Sequence, residues 1–419
     1  MGFWRSSFGL GLVAGLVIYW GPIIWHVVKI GGVLDTPKQT LFGEGEGPIY
    51  IEDTIHCEDV HHYLPANLLF TACEDTVETR MDWFPGLGHL EPHPSARGSI
   101  HVVDPQTFTS RRLEFENFEG SFVTHGIDVI EDPKHKGAVY IFAVNHLPNP
   151  EYFNVTEPVE GTLKARSQIE LFHHVLQSNT VQHIRSIRHP LIRTPNDIVA
   201  SSPDSFYVTN DHYYIDGFMR IVEILWPQAK WSSIIHVEVT DFKSTDATEG
   251  FKATVANQGL WNNNGLGHSR TDTEIVISSP AGGQLYLAEE NTVNKTLSVH
   301  TTISFSTVCD NPSYYIDPYS TEEDDATGFV VGGISQHFTF PKTAKDPNGL
   351  DPVQIWYARP QPGTENWEQK LLFEDDGSRL RTASASVLIP IKPVDGKKKA
   401  WLFATGFMSK SMIAVQVEL

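Results

Sequence analysis

From about residue 40 onward, the chain alternates short apolar runs with clusters of turn-forming residues. The runs are rich in Val, Ile, Tyr, Phe and Thr, and Gly, Pro, Asn and Asp separate them. This pattern is typical of many short β-strands joined by turns. Helical periodicity is scarce, and its best example is FMRIVEILW at 218–226, where apolar residues recur on one helix face. The body of the chain is therefore predicted to be all-β.

A short β run recurs six times along this body. The copies are NLLFTACED, GAVYIFAVNH, DSFYVTNDH, GGQLYLAEEN, GFVVGGIS and KAWLFATGF, with equivalent positions at Leu69, Tyr140, Tyr207, Tyr286, Val330 and Leu402. The spacings are 71, 67, 79, 44 and 72 residues, so the fourth is short. About 65 residues suits a four-stranded antiparallel sheet with its loops, and radial repetition of such sheets limits exposed edges. The predicted fold is an all-β, six-bladed β-propeller with an N-terminal hydrophobic helix.

A compact polar group precedes each run by roughly 10 to 20 residues. These groups are Glu58-Asp59, His125-Gly126, Asn196-Asp197, Asn264-Gly265, Asp310-Asn311 and Ser384-Ala385-Ser386. In a propeller, corresponding strand ends lie around one axis, so we expect these distant groups to converge. A single Asn or Asp at a strand end is usually a turn residue. The argument therefore depends on the groups occurring in phase.

The converging side chains would be carboxylates and amides. Oxygen ligands from dispersed positions suit a hard cation that accepts six to eight ligands, so calcium is favoured over zinc, and magnesium would need a tighter octahedron. Several carboxylates in one narrow axis would otherwise resist joint ionisation. The pattern therefore predicts a calcium site.

Composition narrows the function further. The chain has 31 basic and 51 acidic side chains, which give a net charge of −20. This excludes a general nucleic-acid binder, because phosphate neutralisation requires clustered Lys and Arg. Three cysteines are too few for a disulfide scaffold, and their spacing is not that of a zinc or redox site.

The N-terminus carries a long uncharged apolar stretch at residues 8–28. As a helix it would reach about 31 Å, enough to cross a bilayer core. No small-residue cleavage site follows, so an uncleaved signal anchor is favoured over a removed peptide. The predicted organisation is an anchor and linker at 1–39 and a propeller hydrolase domain at 40–419, membrane-anchored as a single-pass protein in the secretory pathway or outside the cell. Arg5 and Lys29 flank the stretch and leave its orientation open.

Three short motifs bear on the same question. Gly2 and Ser6 fit a myristoylation pattern, which is favoured as a chance agreement. Sequons at Asn154 and Asn294 agree with glycosylation in a secretory lumen.

Longer segments resemble the paraoxonase/arylesterase/lactonase family of six-bladed propellers. They are EDVHHYLPANLLF, THGIDVI, VYIFAVNH, IRHPLIRTPNDIVASSPDSFYVTNDHYYIDGF and VCDNPSYYIDP, and the resemblance runs from about Cys57 to Leu419. It implies two Ca²⁺ ions. A catalytic calcium would take Glu58, Asn196, Asn264, Asp310 and Asn311, and a structural calcium would take Asp59, Asp197 and the backbone carbonyl of Ile127. It also implies a catalytic pair, His125 and His146.

The activity implied is calcium-dependent hydrolysis of small lactones and aryl esters. A cation would polarise the carbonyl, and a neutral imidazole would take a proton from water. A carboxylate, Glu58 or Asp310, is the alternative base. Two other functions stay open: a non-catalytic, calcium-stabilised binding module, and a hydrolase of sugar lactones. The oligomeric state is not predicted.

The chain departs from the family pattern at three places. Ile334 stands where the family usually has a pocket histidine. The family's disulfide between the chain ends has no counterpart, so the ring must close by strand pairing or Cys57 must have an unfamiliar partner. Extra residues near 266–282 and 313–327 are expected to form the pocket rim if they follow the metal-bearing loops.

Overall fold

Six sheets form the blades of a β-propeller in the residues that the computed structural model describes, which are 17–92, 96–394 and 396–419, and their strands are antiparallel except for β8. The first strands are β1 (Ile49–Ile51), β2 (Asp59–Tyr63), β3 (Leu68–Glu74), β4 (Trp83–Phe84), β5 (His89–Leu90), β6 (Gly98–Asp104), β7 (Thr109–Arg112) and β8 (Glu114–Glu116). The next are β9 (Thr124–Glu131), β10 (Ala138–Pro148), β11 (Ala165–Val175), β12 (Thr180–Ile187), β13 (Pro195–Ser202), β14 (Ser205–Asn210), β15 (Ser233–Val239) and β16 (Phe251–Gln258).

The remaining strands are β17 (Leu266–His268), β18 (Glu274–Ser279), β19 (Gln284–Glu290), β20 (Leu297–Ser304), β21 (Pro312–Tyr315), β22 (Gly328–Ile334), β23 (Val353–Pro360), β24 (Trp367–Asp375), β25 (Ala383–Val394), β26 (Lys397–Gly406) and β27 (Met412–Glu418). The described helices are α1 (residues 17–30), α2 (Val77–Asp82), α3 (Pro150–Phe153), α4 (Phe218–Leu225) and α5 (Phe340–Thr343), with 3₁₀ turns at Leu64–Ala66 and Pro85–Leu87.

Each blade runs outward from an innermost strand. In order, the blades are β2-β3-β6-β7, β9-β10-β11-β12 with β8 added in parallel, β13 to β16, β17 to β20, β21 to β24, and β25-β26-β27-β1. The short hairpin β4-β5 stands apart. The six-bladed, mostly β prediction is confirmed.

The hydrophobic core is divided among the interfaces between neighbouring blades. Each of the six largest buried clusters draws its side chains from two adjacent blades. Within β18, Val276 packs toward blade 5, whereas Ile275 and Ile277 pack toward blade 3. Because alternate residues of a strand face opposite sides, a blade strand buried on both sides must be apolar at nearly every position. This explains continuous runs such as VYIFAV.

The short fourth repeat has a simple cause. Five of the six aligned positions lie on the second strand of their blade, but Tyr286 lies on β19, the third strand of blade 4. The true second strand there is β18. Sequence alignment chose the wrong strand because both are buried apolar runs of similar length.

The ring closes by strand pairing. The N-terminal strand β1 is the outer strand of blade 6, and it pairs with β27 through Ile49 with Ala414, Tyr50 with Ile413 and Ile51 with Met412. Cys57 also has a partner: it forms a disulfide with Cys73 of β3, while Cys309 is a buried free thiol. Both alternatives from the sequence are therefore realised. The disulfide fixes the residue that immediately precedes Glu58.

The prediction of a membrane anchor at 8–28, with its single-pass localisation, is wrong. Across the described ranges, no helix combines the length and apolar character that a membrane crossing requires. Residues 8–16 of the predicted stretch, and the Gly2 and Ser6 motif, lie outside the described residues. The part that is described, α1, ends against the propeller: His26 Nε2 lies 3.1 Å from the carbonyl oxygen of Ala281, and Ile30 is buried.

The expected pocket rim is also corrected. Inner strands begin at the end of the axis that carries the predicted ligands, so the 313–327 segment, which starts within β21 and continues beyond its end, leads away to the opposite end. There Lys398 binds Asp317. Of the 266–282 segment, only the turn at Pro280 and Ala281 reaches the cavity described below.

The disulfide gives a direct test. Denatured, unreduced protein should show one reactive thiol, that of Cys309, because Cys57 and Cys73 are joined. Replacing both with Ser removes a cross-link over a separation of 16 residues, which should lower the free energy of unfolding by about 3 kcal/mol. Thiol titration and denaturant unfolding measure the two effects, with Cys309→Ala as the control. Three reactive thiols in the unreduced protein would contradict the pairing.

Candidate functional site

The predicted polar groups lie together at one end of the propeller axis. Each stands at, or directly before, the first residues of an innermost strand: β2, β9, β13, β17, β21 and β25. Glu58, Asn196, Asn264 and Asp310 all line one cavity of about 320 Å³. The convergence expected from the repeat is therefore observed.

Asn311 joins this set through Glu58. The Asn311 amide Nδ2 donates to both carboxylate oxygens of Glu58, at 3.1 and 3.2 Å. The Glu58 backbone carbonyl accepts from Ser384 of blade 6. Side chains from blades 5 and 6 therefore hold Glu58 in place from both ends of the residue.

Three amide oxygens in this group are left without partners. Asn196 Oδ1, Asn264 Oδ1 and Asn311 Oδ1 are buried, and none finds a hydrogen-bond donor among the described residues. Buried acceptors are normally satisfied, and a bound cation is one way to satisfy them. All three belong to the predicted catalytic calcium ligands.

The carboxylates of the site repel one another. Burial, together with the negative charges of Asp310 and Asp59, raises the pKa of Glu58 well above its usual range. Burial and the charge of Asp59 likewise raise the pKa of Asp310. Two buried carboxyl groups with raised pKa values and three amide oxygens without a hydrogen-bond donor make up this set. Such oxygen ligands fit a hard divalent cation such as calcium. The residues present therefore fit the group that the family resemblance implies.

The second predicted ligand set, Asp59, Asp197 and Ile127, lies one residue further along these strands. The Asp59 carboxylate accepts from the backbone N–H of Val60 and, at 3.0 Å, of Ile127 in blade 2. Asp197 accepts from the backbone N–H of Ile198 and, at 2.7 Å, of Leu266 in blade 4. These carboxylates thus tie neighbouring inner strands together.

Burial raises the pKa of Asp59 to about 6, and burial with the charge of Asp59 raises the pKa of Asp197 well above its usual value. The two carboxylates therefore resist joint ionisation without a compensating cation.

Two glycines allow the inner strands to approach this closely. A Cβ atom on Gly126 would lie 2.2 Å from Asp197 Oδ1, and one on Gly265 would lie 2.6 Å from Asn311 Oδ1. Either contact is far shorter than atoms tolerate. The pairing of glycine with a polar residue in the repeat therefore has a steric cause.

The predicted histidines form a hydrogen-bonded series. His125 Nδ1 lies 2.9 Å from His146 Nε2, and His146 Nδ1 lies 2.7 Å from Ser167 Oγ. At the other end, Asn196 Nδ2 donates to His125 Nε2 at 3.1 Å, and Glu58 Oε1 lies 3.8 Å from the same nitrogen. The series runs from the ligand group to Ser167.

Burial sets the charge of both rings. It lowers the pKa of His125 well below its usual value and lowers that of His146 to about 3. Both imidazoles are therefore neutral at neutral pH. In that state His125 Nδ1–H donates to His146, His146 Nδ1–H donates to Ser167, and His125 Nε2 keeps a lone pair.

Sequence reasoning missed two parts of the site. Arg80 of α2 is completely buried, donates to the carbonyl oxygens of His56 and Thr124, and stacks on Phe84 at 3.9 Å. Asp211 and His212, which follow β14, also line the cavity, with His212 Nδ1 and Asp211 Oδ2 2.9 Å apart. Asp211 and His212 could have been found from the sequence, because they belong to the segment at 187–218 that resembles the family. Nothing in the sequence marks Arg80.

The cavity is covered by two segments that act as its lid. One is α1 with the turn that follows it, of which Val27, Ile30 and Gly31 line the cavity; the other is the long connection 335–352 after β22, which contains α5. They touch: Phe338 packs on Gly31, and its backbone N–H donates to the Gly31 carbonyl at 3.3 Å.

Ile334 is buried in the cavity wall, so this position contributes an apolar side chain, as predicted from the sequence. A different residue brings an imidazole to the cavity. His337, three residues further on in the lid, lines the same cavity.

The fold and the site define a β-propeller protein with an oxygen-rich candidate cation site at one end of its axis. The family model described as Arylesterase matches residues 77–322, more than half of the chain. The chain therefore belongs to the arylesterase family.

Two individual relatives share less than 30% of their residues with this chain over the aligned length. Human serum paraoxonase/arylesterase 2 is 29% identical over 241 residues, which cover 57% of this chain and 58% of that protein. The serum paraoxonase/lactonase 3 of Oryctolagus cuniculus is 25% identical over 309 residues, which cover 72% and 74%. Among solved structures, the allergen Mala s 1 of Malassezia sympodialis aligns with a TM-score of 0.47 at 11% identity, covering 87% of this chain and 93% of that one. That structural score supports no statement about function.

Proposed function

We propose that this protein is a calcium-dependent hydrolase of lactones and aryl esters. The observation that carries the proposal is the set of three unpartnered amide oxygens, Asn196 Oδ1, Asn264 Oδ1 and Asn311 Oδ1, beside two buried carboxylates. Membership of the arylesterase family supports the hydrolase class.

The proposed catalytic ion is held by Glu58, Asn196, Asn264, Asp310 and Asn311. A divalent cation bound there would polarise a substrate carbonyl and stabilise the negative charge that develops on its oxygen. Asn196 serves two purposes, because its oxygen is free for the ion while its nitrogen donates to His125. A second, structural ion at Asp59, Asp197 and the Ile127 carbonyl stays part of the proposal, supported by the mutual repulsion of the two carboxylates.

His125 is the proposed general base. Its Nε2 lies at the cavity beside the ligand group, and the series to His146 and Ser167 holds the ring with Nε2 unprotonated, as the acceptor of the Asn196 amide. A neutral imidazole can take a proton from a water that attacks a carbonyl, and His146 can accept the Nδ1 proton in turn. Glu58 is the alternative base, since burial raises the pKa of its carboxyl.

The cavity wall bears on the substrate. Apart from the ligand end, its lining includes Phe84, Trp261, Phe340 and Phe407 as well as the lid residue Phe338. An aromatic and aliphatic wall favours an apolar ester or lactone over a polyhydroxylated ring. This lining favours the ester and lactone hydrolase over the sugar-lactone alternative. The binding-module alternative is weighed by the experiments that follow.

Removal of calcium tests the ion directly. Chelation with EGTA should abolish hydrolysis of phenyl acetate and a δ-lactone and lower the melting temperature, because the ion binds the folded state.

Asn264→Ala should lower kcat/KM by at least about 100-fold through loss of one ligand beside the developing charge. Asn366→Ala, in the exposed turn before β24, is the control.

Undiminished hydrolysis by calcium-free protein would refute the proposal. Calcium-dependent stability without hydrolysis of any ester or lactone would instead favour the binding module.

Substitution of the histidine pair tests the base. His125→Gln should lower kcat by at least about 100-fold, as expected for loss of a general base, while calcium stoichiometry stays unchanged. His135→Gln, at an exposed histidine of blade 2, is the control. Full activity of His125→Gln with calcium still required would remove His125 from the mechanism and leave a ligand carboxylate as the base.

The lid residue Phe338 tests the contribution of the apolar wall. Phe338→Ala should lower kcat/KM for phenyl hexanoate by about tenfold relative to phenyl acetate, because only the longer acyl chain reaches the lid. Val293→Ala, at a turn that does not line the cavity and with 93% exposure, should leave the ratio unchanged. An unchanged ratio in Phe338→Ala would show that the acyl group does not extend toward the lid.

A further inference from the structure

A second group of candidate ligands lies on the same inner strands, toward the opposite end of the axis. It consists of His61 of β2, Asp128 of β9 and His268 of β17, which come from blades 1, 2 and 4. Their ligand atoms all lie within 4.8 Å of one another. Unlike the first site, this group offers nitrogen as well as oxygen.

The group is built around Asp128. His61 Nδ1 lies 2.8 Å from Asp128 Oδ1, and His268 Nε2 lies 2.9 Å from Oδ2 and 3.2 Å from Oδ1. Asp128 is buried, and the backbone N–H groups of Val129 and Ala200 fix its two oxygens at 2.9 and 2.7 Å. The carboxylate is thus held rigidly by two blades, with an imidazole on each side.

These separations are close to those of a metal site. Zinc bonds of about 2.0–2.2 Å to His nitrogen and carboxylate oxygen place neighbouring ligand atoms about 3.3 Å apart in a tetrahedron. Each imidazole would need to move back by only about half an ångström to admit an ion. The imidazoles have room for this, since their side chains are 20% and 48% exposed.

The donor chemistry selects the kind of ion. Two imidazoles and one carboxylate suit zinc and similar divalent transition metals, whereas calcium prefers oxygen ligands alone. Three protein ligands with one open, solvent-facing position are typical of zinc sites that keep a water.

We propose that His61, Asp128 and His268 form a site for a divalent transition metal of the zinc class, separate from the calcium ligands. The ion would join the inner strands of blades 1, 2 and 4 at the end of the axis away from the cavity. The site does not depend on the proposed hydrolase function, because none of its three residues lines the cavity among the residues described.

The test uses the full chain with millimolar calcium present throughout, after treatment with a chelator that is selective for zinc over calcium. Titration with ZnCl₂ is followed by calorimetry, and CoCl₂ serves as a spectroscopic probe, since four-coordinate Co²⁺ absorbs strongly in the visible range. One ion per chain should bind. His268→Ala and His61→Gln should each weaken binding by at least about tenfold, and circular dichroism confirms that they fold.

The matched control is His300→Ala. His300 is 38% exposed and lies 3.1 Å from Glu274, in another group of His and carboxylate side chains on blade 4. It should leave zinc binding and the cobalt spectrum unchanged.

Asp128 itself is not substituted, because its carboxylate also joins β9 to β13. The proposal is overturned if the wild-type chain does not bind zinc, if both variants bind it as tightly as the wild type, or if His300→Ala removes binding equally. In those cases the group is a hydrogen-bonded His-Asp-His cluster only.

Discussion

Negative charge buried on the propeller axis is the constraint on which this structure depends. Glu58, Asp59, Asp197 and Asp310 come from three blades, and burial, with repulsion from neighbouring carboxylates, raises the pKa of each carboxyl. Backbone N–H groups of neighbouring inner strands donate to the Asp59 and Asp197 carboxylates and so stabilise part of this buried negative charge. The glycines beside these residues permit the close approach. A cation bound by the remaining oxygens would neutralise the rest of the buried negative charge. The same carboxylates therefore explain both how the inner strands are held together and the proposed chemistry.

The repeat made this site predictable from sequence. Each ligand group occupies the same place in its blade, at or directly before the start of the innermost strand. Groups that recur in phase along the chain are therefore close together around the axis. The repeat failed at Tyr286 for a related reason: strands buried between two blades are apolar on both faces, and the pattern does not distinguish the second strand from the third. Hydrophobic pattern therefore predicted the number of blades, but not every strand within them.

Features that depend on contacts between distant segments were not predictable. Arg80 is one basic residue in a short helix, and only the fold shows that it is buried beneath the site with its charge facing Glu58 and Glu74. The apolar run at the N-terminus has the length of a membrane span, yet α1 and the turn that follows it contact the propeller, with His26 beside Ala281 and Gly31 against Phe338 of the connection 335–352. Length and hydropathy measure how much apolar surface a helix has. They do not specify whether a lipid bilayer or the rest of the protein buries that surface.

Strand geometry explains how two kinds of ligand group can share one axis. Asp59 and His61 are two residues apart on β2, so their side chains leave the same face of the strand about 7 Å apart along it. Oxygen ligands at the start of the inner strands and imidazoles further along therefore form separate layers. Because calcium takes oxygen and zinc-class ions prefer nitrogen, this layering would let one set of strands bind both without exchange. Asp128 bridges the layers structurally, since it lies one residue after Ile127 and its carboxylate binds both imidazoles.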